Sequence, residues 1–186
     1  MQVPFDYAVK QVLEELRSIA NGNFTTPTGS EKRKFGNIVY AAVTMPVVEI
    51  MSILDKLADS NPKACEFLKQ KGIANSLRQC HVTLAHKRSH GVTAVASYGV
   101  FLNKKVPVSV TALLFSDKFA ALEAHPGSVD DEKVVSKNQW PHVTIWTAEG
   151  AAAKEANVLP QLVQEGNAVR VDIDPPVTTT GVVEFY

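Results

Sequence analysis

Two segments of this chain repeat one short pattern: His81-Val82-Thr83-Leu84 and His142-Val143-Thr144-Ile145. Aliphatic and β-branched residues at every second position suit a pleated, half-buried strand. In a strand, residues two apart project from the same face. Each segment therefore sets an imidazole beside a hydroxyl on one side and sends two aliphatic side chains toward a core on the other. Any fold that holds both must bury two aliphatic faces and leave two polar faces reachable. With the strands side by side, two imidazoles and two hydroxyls converge on one cavity. That grouping suits a phosphate ester: one histidine takes a proton, the other gives one, and the hydroxyls hold the oxygens.

The rest of the chain reads as α+β. Val9, Val12, Leu13, Leu16 and Ile19 have helical spacing and predict an amphipathic helix over 6–20, with Asn21-Gly22 as its stop. The segment NGNFTTPTGSEKRKFG (21–36) reads as a polar loop or tether. A buried strand is expected over 38–43. A helix opened by Pro46 should carry Val47, Ile50, Met51, Leu54 and Leu57 on one side, and a second, following Pro62, should end at Gly72. In the second half, 106–115 reads as a strand, with Pro107 hinting at an edge or a strand start. HPGSVDDEKVVSKN (125–138) reads as a loop with short strand content at Val134-Val135. An alanine-rich helix is expected over 150–163. The stretch 169–173 alternates as a strand, DPPVTTTG is turn-rich, and 182–185 suits a last strand.

Composition narrows the function classes. At 186 residues with 45% hydrophobic content, the chain fits one folded domain with a substantial core. Cys65 and Cys80 are too few for a disulfide framework or a four-cysteine zinc site. The low cysteine count suits a reducing, intracellular setting, in nucleus, cytoplasm or both, and with no apolar run of membrane-spanning length no membrane partner is expected. Lys plus Arg equal Asp plus Glu, giving zero formal charge, whereas a domain gripping long RNA by its backbone is usually basic. Any nucleic-acid role therefore points to an end rather than a duplex.

The double His-x-Thr pattern resembles the 2H phosphoesterase superfamily. HVTLAHKRSHGVTAVASYG (81–99), VVSKNQWPHVTIWTAEG (134–150) and AAKEANVLPQLVQEG (152–166) are similar to the C-terminal cyclic phosphodiesterase domain of plant tRNA ligases. The resemblance covers about 35–186 and holds at all four motif positions. It implies a bilobal fold with antiparallel sheets flanked by helices around a central cleft. Residues 36–186 would form the phosphodiesterase domain, and 1–35 a helix and loop, readable as the tail of a preceding domain. The implied reaction is hydrolysis of a terminal 2′,3′-cyclic phosphate on RNA, such as a tRNA exon half, to a 2′-phosphate and a 3′-hydroxyl. No cofactor or metal is implied. His81, Thr83, His142 and Thr144 are the implied catalytic residues. Nothing matches the phosphate-gripping G-x-x-x-x-G-K-[ST] loop, so ligase and kinase domains are expected elsewhere in the parent chain. The nearly symmetric motifs leave the acid and base roles open. Analogy with relatives that leave a 2′-phosphate implies His142 as base and His81 as acid. Two other readings stay open: a phosphodiesterase of small cyclic nucleotides, and a non-catalytic module that docks RNA ends.

Beyond the four, strand alternation places Trp146 on the face of His142 and Thr144, where an indole could stack on a base or ribose, the alternative being an ordinary aromatic core residue. Tyr40, in the first strand, is a second lining candidate. Lys87 and Arg88 offer positive charge to flanking phosphates, or simply a solvated loop. Trp140, before Pro141, is expected to pack at the strand entrance. His86 and His90 have the i, i+4 spacing of a zinc pair, but Gly91 argues for a turn and no further ligand stands at typical spacing. Cys80 should point away from the cleft as a structural thiol.

Overall fold

The computed structural model describes residues 37–186, so the helix expected over 6–20 and the polar segment 21–36 lie outside the described residues. Six strands close into a barrel in the order β1 (Tyr40–Met45), β2 (Cys80–His86), β7 (His142–Thr147), β4 (Phe119–Pro126), β3 (Lys105–Phe115) and β8 (Val169–Phe185). Every neighbouring pair is antiparallel, and β1 completes the ring by pairing with β8 as well as β2. Between β4 and β7 the chain adds a small ribbon, β5 (Ser128–Val129) and β6 (Glu132–Lys133). The expected antiparallel pairing is present, but as one closed sheet rather than sheets in two separate lobes.

Alternation builds the core. Val43, Val82, Leu84, Val106, Val108, Val110 and Val143 come from four strands and belong to one fully buried cluster. Helix α1 (Val47–Ser60) lays Ile50, Ile53, Leu54 and Leu57 against it, close to the face read from the sequence. In α2 (Pro62–Gln70) the Asn61 side chain accepts the Ala64 amide at 3.1 Å, and Pro62 occupies the first turn, where its missing N–H costs nothing. Gly72, at φ +60°, ends that helix as expected, and the single turn α3 (Ile73–Ser76) follows. After β2 come two short helices, α4 (Lys87–His90) and α5 (Val92–Ala96), and a 3₁₀ turn, Ser97–Phe101. Among the described residues no helix is long and apolar enough to cross a membrane.

Four elements depart from the sequence reading. β4 was not anticipated: three of its eight residues are alanine, a poor strand former, and nearly all are buried, so no alternation shows. The alanine-rich helix is instead a 3₁₀ stretch, Ala153–Val158, followed by α6 (Leu159–Gln164). Pro160 sits in the first turn of α6, where it cannot extend a helix from upstream. Val134-Val135 is not a strand, and the hairpin falls just before it. Finally, β8 runs through the turn-rich segment. Its register against β3 skips from Asp172 to Val177, and pairing resumes through Thr178, Thr179 and Thr180.

β1 and β8 approach closely at Gly181. A Cβ there would lie 2.9 Å from the Thr44 carbonyl oxygen and would overlap Val43 Cγ1. Gly181→Ala is expected to destabilise the fold by about 1–3 kcal/mol through overpacking, read as a lower urea midpoint at unchanged m. An unchanged midpoint would mean that the strands can separate freely there.

Candidate active site

β2 and β7 pair at a single position, Val82 opposite Val143. Carried one residue either way, the antiparallel register sets His81 across from Thr144 and Thr83 across from His142. The two valines point into the core, so the four polar side chains share the opposite face. The pairing is short because another segment takes over the edge of β2. The Ser136 hydroxyl donates to the Thr83 carbonyl at 2.8 Å and the Lys137 amide to the Leu84 carbonyl at 2.7 Å. All four motif residues line one cavity of about 390 Å³, within the range of small-ligand sites.

The two imidazoles are held differently. His142 is buried, and its Nδ1 lies 2.8 Å from the Trp140 carbonyl oxygen. A carbonyl only accepts, so Nδ1 carries hydrogen and Nε2 of the neutral ring keeps the lone pair. The Trp140 ring stacks on His142 with centroids 4.5 Å apart. Burial lowers the His142 pKa below the ordinary histidine value, and the Trp140 carbonyl partly opposes that. His81 stacks on Tyr40 at 5.3 Å, and its Nδ1 is buried with no hydrogen-bond partner. Its pKa is lowered by burial and, secondarily, by the neighbouring His142. Tyr40 also stacks on Tyr186 at 4.9 Å, and burial pushes its phenol pKa up.

Tyr40 and Arg88 line the cavity, as the sequence suggested; Lys87 is exposed and does not. Trp146 does not line it either. The register of β7 against β4 shifts between Thr144, opposite Ala121, and Trp146, opposite Ala120, leaving Ile145 as a bulge. The bulge reverses the alternation, so Trp146 packs edge-on against Phe67, with Lys71 Nζ 4.7 Å above its ring. The sequence reading missed Asn138, carried in by the segment pinned to β2, and Lys154 and Asn157, which reach the cavity from the 3₁₀ turn. Only the three-residue spacing of Lys154 and Asn157 hinted at a shared face.

His86 and His90, the pair with zinc-like spacing, turn their Nδ1 atoms to local backbone. His86 Nδ1 accepts the Arg88 amide at 3.0 Å, and His90 Nδ1 accepts the His86 amide at 3.0 Å. Among the described residues no group of three or more His, Cys, Asp or Glu is placed to hold a metal ion. Cys80 is buried in the core, where desolvation pushes its thiol pKa up to about 11.

Beside the cavity, Glu123 of β4 stands across from His142. Its carboxylate accepts from Arg170 Nη2 and Nη1 at 2.9 and 3.0 Å, from the Thr111 hydroxyl at 2.7 Å and from Trp140 Nε1 at 2.8 Å. The Arg170 bonds foremost, with those from Thr111 and Trp140, hold its pKa down at about 2 against the penalty of burial.

No family model matches the chain. The chain is 58% identical to tRNA ligase 1 of Arabidopsis thaliana over 188 residues, which takes in 100% of this chain and 17% of that protein. The chain thus spans about a sixth of that curated relative's length. A crystal structure of a fungal RNA kinase shares the fold with a TM-score of 0.60 at 16% identity, over 81% of this chain and 46% of that one.

Because the folded-state pKa of Glu123 is depressed, its stabilising contribution is present above the usual carboxylate value and lost as pH falls toward about 2. Urea denaturation from pH 6 to pH 2 should show Glu123→Gln flattening the acid side of the stability curve. Parallel curves for the two proteins would mean that this carboxylate is not held by its partners.

Proposed function

We propose, on the premise that this chain is homologous along its whole length to one region of a plant tRNA ligase, that it is a cyclic phosphodiesterase of the 2H type acting on RNA ends. The observation that carries the reading is the Val82–Val143 pairing, which brings both His-Thr pairs to one cavity. A 2′,3′-cyclic phosphate placed there has an imidazole on either side of phosphorus, as in-line displacement needs. His142 Nε2 takes a proton from water, and the water oxygen bonds to phosphorus. The bond from phosphorus to the 3′ oxygen breaks, and His81 gives that oxygen a proton, leaving a 2′-phosphate and a 3′-hydroxyl. Thr83 and Thr144 donate to the non-bridging oxygens as charge grows on them. The His142 tautomer supports its role as base. His81 must carry a proton to act as acid, and an anionic phosphate between the rings offsets the burial that opposes it.

Arg88 and Lys154, both on the cavity wall, supply positive charge for the flanking RNA phosphate. In this reading residues 36–186 are the catalytic unit. It works beside ligase and kinase domains of a parent chain on tRNA exon halves, in nucleus or cytoplasm; the match to one region of a longer tRNA ligase supports the parent-chain part of this reading.

The test is incubation in EDTA with a short RNA ending in a 2′,3′-cyclic phosphate, followed by identification of the product isomer. A 2′-phosphate is expected. A 3′-phosphate would reverse the acid and base assignment, and RNA binding without turnover would leave a docking module. Faster turnover of cyclic mononucleotides than of RNA would move the substrate to small nucleotides. His81→Ala and His142→Ala should each lose about 10²–10⁴ in kcat, and Thr83→Ala or Thr144→Ala about 10².

The profile of kcat/KM against pH reports the free protein's acid and base. Activity requires the base deprotonated and the acid protonated, and both histidines have pKa values lowered from 6.5. The optimum should therefore lie on the acid side of pH 6.5. An optimum above neutrality would contradict the two-histidine assignment.

A further inference from the structure

We propose that Trp140 and Glu123 are positioning residues for His142, fixing its ring orientation and the tautomer that leaves Nε2 free. The inference rests on the phosphodiesterase reading for its catalytic consequence, though not for its geometry. Trp140 touches His142 twice, through its carbonyl at Nδ1 and through its ring on the imidazole face. Both contacts hold together only if the Trp140 backbone and side chain are fixed at once. Pro141 restricts the backbone of the residue before it to extended conformations. The indole is fixed by its N–H, which donates to Glu123 Oε2 at 2.8 Å.

Glu123 is in turn a rigid acceptor. Oε1 takes the Thr111 hydroxyl and Arg170 Nη2, while Oε2 takes Trp140 Nε1 and Arg170 Nη1. Thr111 is the extra residue of a bulge in β3, between Val110 and Ala112, so a local irregularity of the sheet serves this contact. Arg170 is held from its other edge by Asp172, at 2.7 Å from Nε. His125 also faces the carboxylate, with Nε2 at 3.8 Å from Oε1. The carboxylate thus acts on the histidine at one remove, through an indole and a carbonyl, where simpler triads use a direct contact. His81 has no counterpart, since its Nδ1 is buried without a partner. Both imidazoles have a stacked aromatic ring, and the two nearly identical motifs are made unequal by a hydrogen-bonded support at Nδ1 of His142 alone.

Trp140→Phe tests this in the full chain. It keeps an aromatic ring beside His142 and removes the indole N–H together with the smaller ring that carries it. Nitrogen-15 NMR of the histidine side chains reads the tautomers directly, whether or not the protein turns over RNA. The expected result is loss of the pure Nδ1–H state at His142, with His81 unchanged. In the cyclic-phosphate assay kcat should fall about tenfold, with KM within about twofold of the parent. Glu123→Ala should show the same pattern more strongly if it folds, and Trp140→Phe decides the matter if it does not. An unchanged His142 tautomer, or equal changes at His81 and His142, would overturn the proposal. An inactive parent protein with the expected tautomer shift would reject the phosphodiesterase reading and keep the positioning one.

Discussion

A single backbone pairing, Val82 opposite Val143, joins β2 to β7 and closes the barrel along that seam. Each valine is fully buried, and burying a side chain of this size is worth roughly 1.5–3 kcal/mol. The hydrophobic effect that holds the seam is also what turns His81, Thr83, His142 and Thr144 to the other face. Core and site are two sides of the same strands. A one-residue slip in either strand would exchange them, placing imidazole in the core and valine in the cavity. The seam stays short because the segment carrying Ser136 and Lys137 takes the carbonyls of Thr83 and Leu84. That same segment delivers Asn138 to the cavity and Trp140 to His142.

Two imidazoles in one partly buried space disfavour each other's charge, and the structure does not treat them alike. His142 has a carbonyl at Nδ1 and an indole on its face, while His81 lies between Tyr40 and the cavity with Nδ1 unsatisfied. In the proposed reaction a general acid and a general base have opposite needs, and this difference in support would separate them where the sequence motifs do not. The cost falls on His81, whose charged form must bury an N–H without an acceptor. The proposed substrate carries the negative charge that relieves it.

Much of this was legible in the sequence. The two motifs specify strands, face and quartet through side-chain parity alone, and the helices after Pro46 and Pro62 follow from proline and Gly72. Parity also put Trp146 on the cavity face, where the structure does not have it. It holds only while the strand is regular, and a bulge at Ile145 leaves no mark in the letters HVTIW. β4 escaped notice because burial on both faces erases alternation and alanine hides a strand. With β4 went Glu123, whose importance lies wholly in contacts to residues 12, 17 and 47 positions away. The broken helix at Ala153–Val158 and Leu159–Gln164 was readable in principle from Pro160. Closure of the sheet was not, since it depends on which edges meet.

The register at the seam has one more implication. His81 facing Thr144 and Thr83 facing His142 are exchanged by half a turn about an axis through the Val82–Val143 pair. A phosphorus atom on that axis meets the same two kinds of group whether approached from β2 or from β7. By microscopic reversibility, any displacement that passes through it retraces its path with donor and acceptor of the proton interchanged. On the proposed chemistry the strand pair in itself is therefore furnished equally for opening a cyclic ester and for closing one. The net direction is then set by the free energies of ester, water and product, while the asymmetry about the axis, the fixed ring on one strand, sets only which imidazole takes the proton on opening.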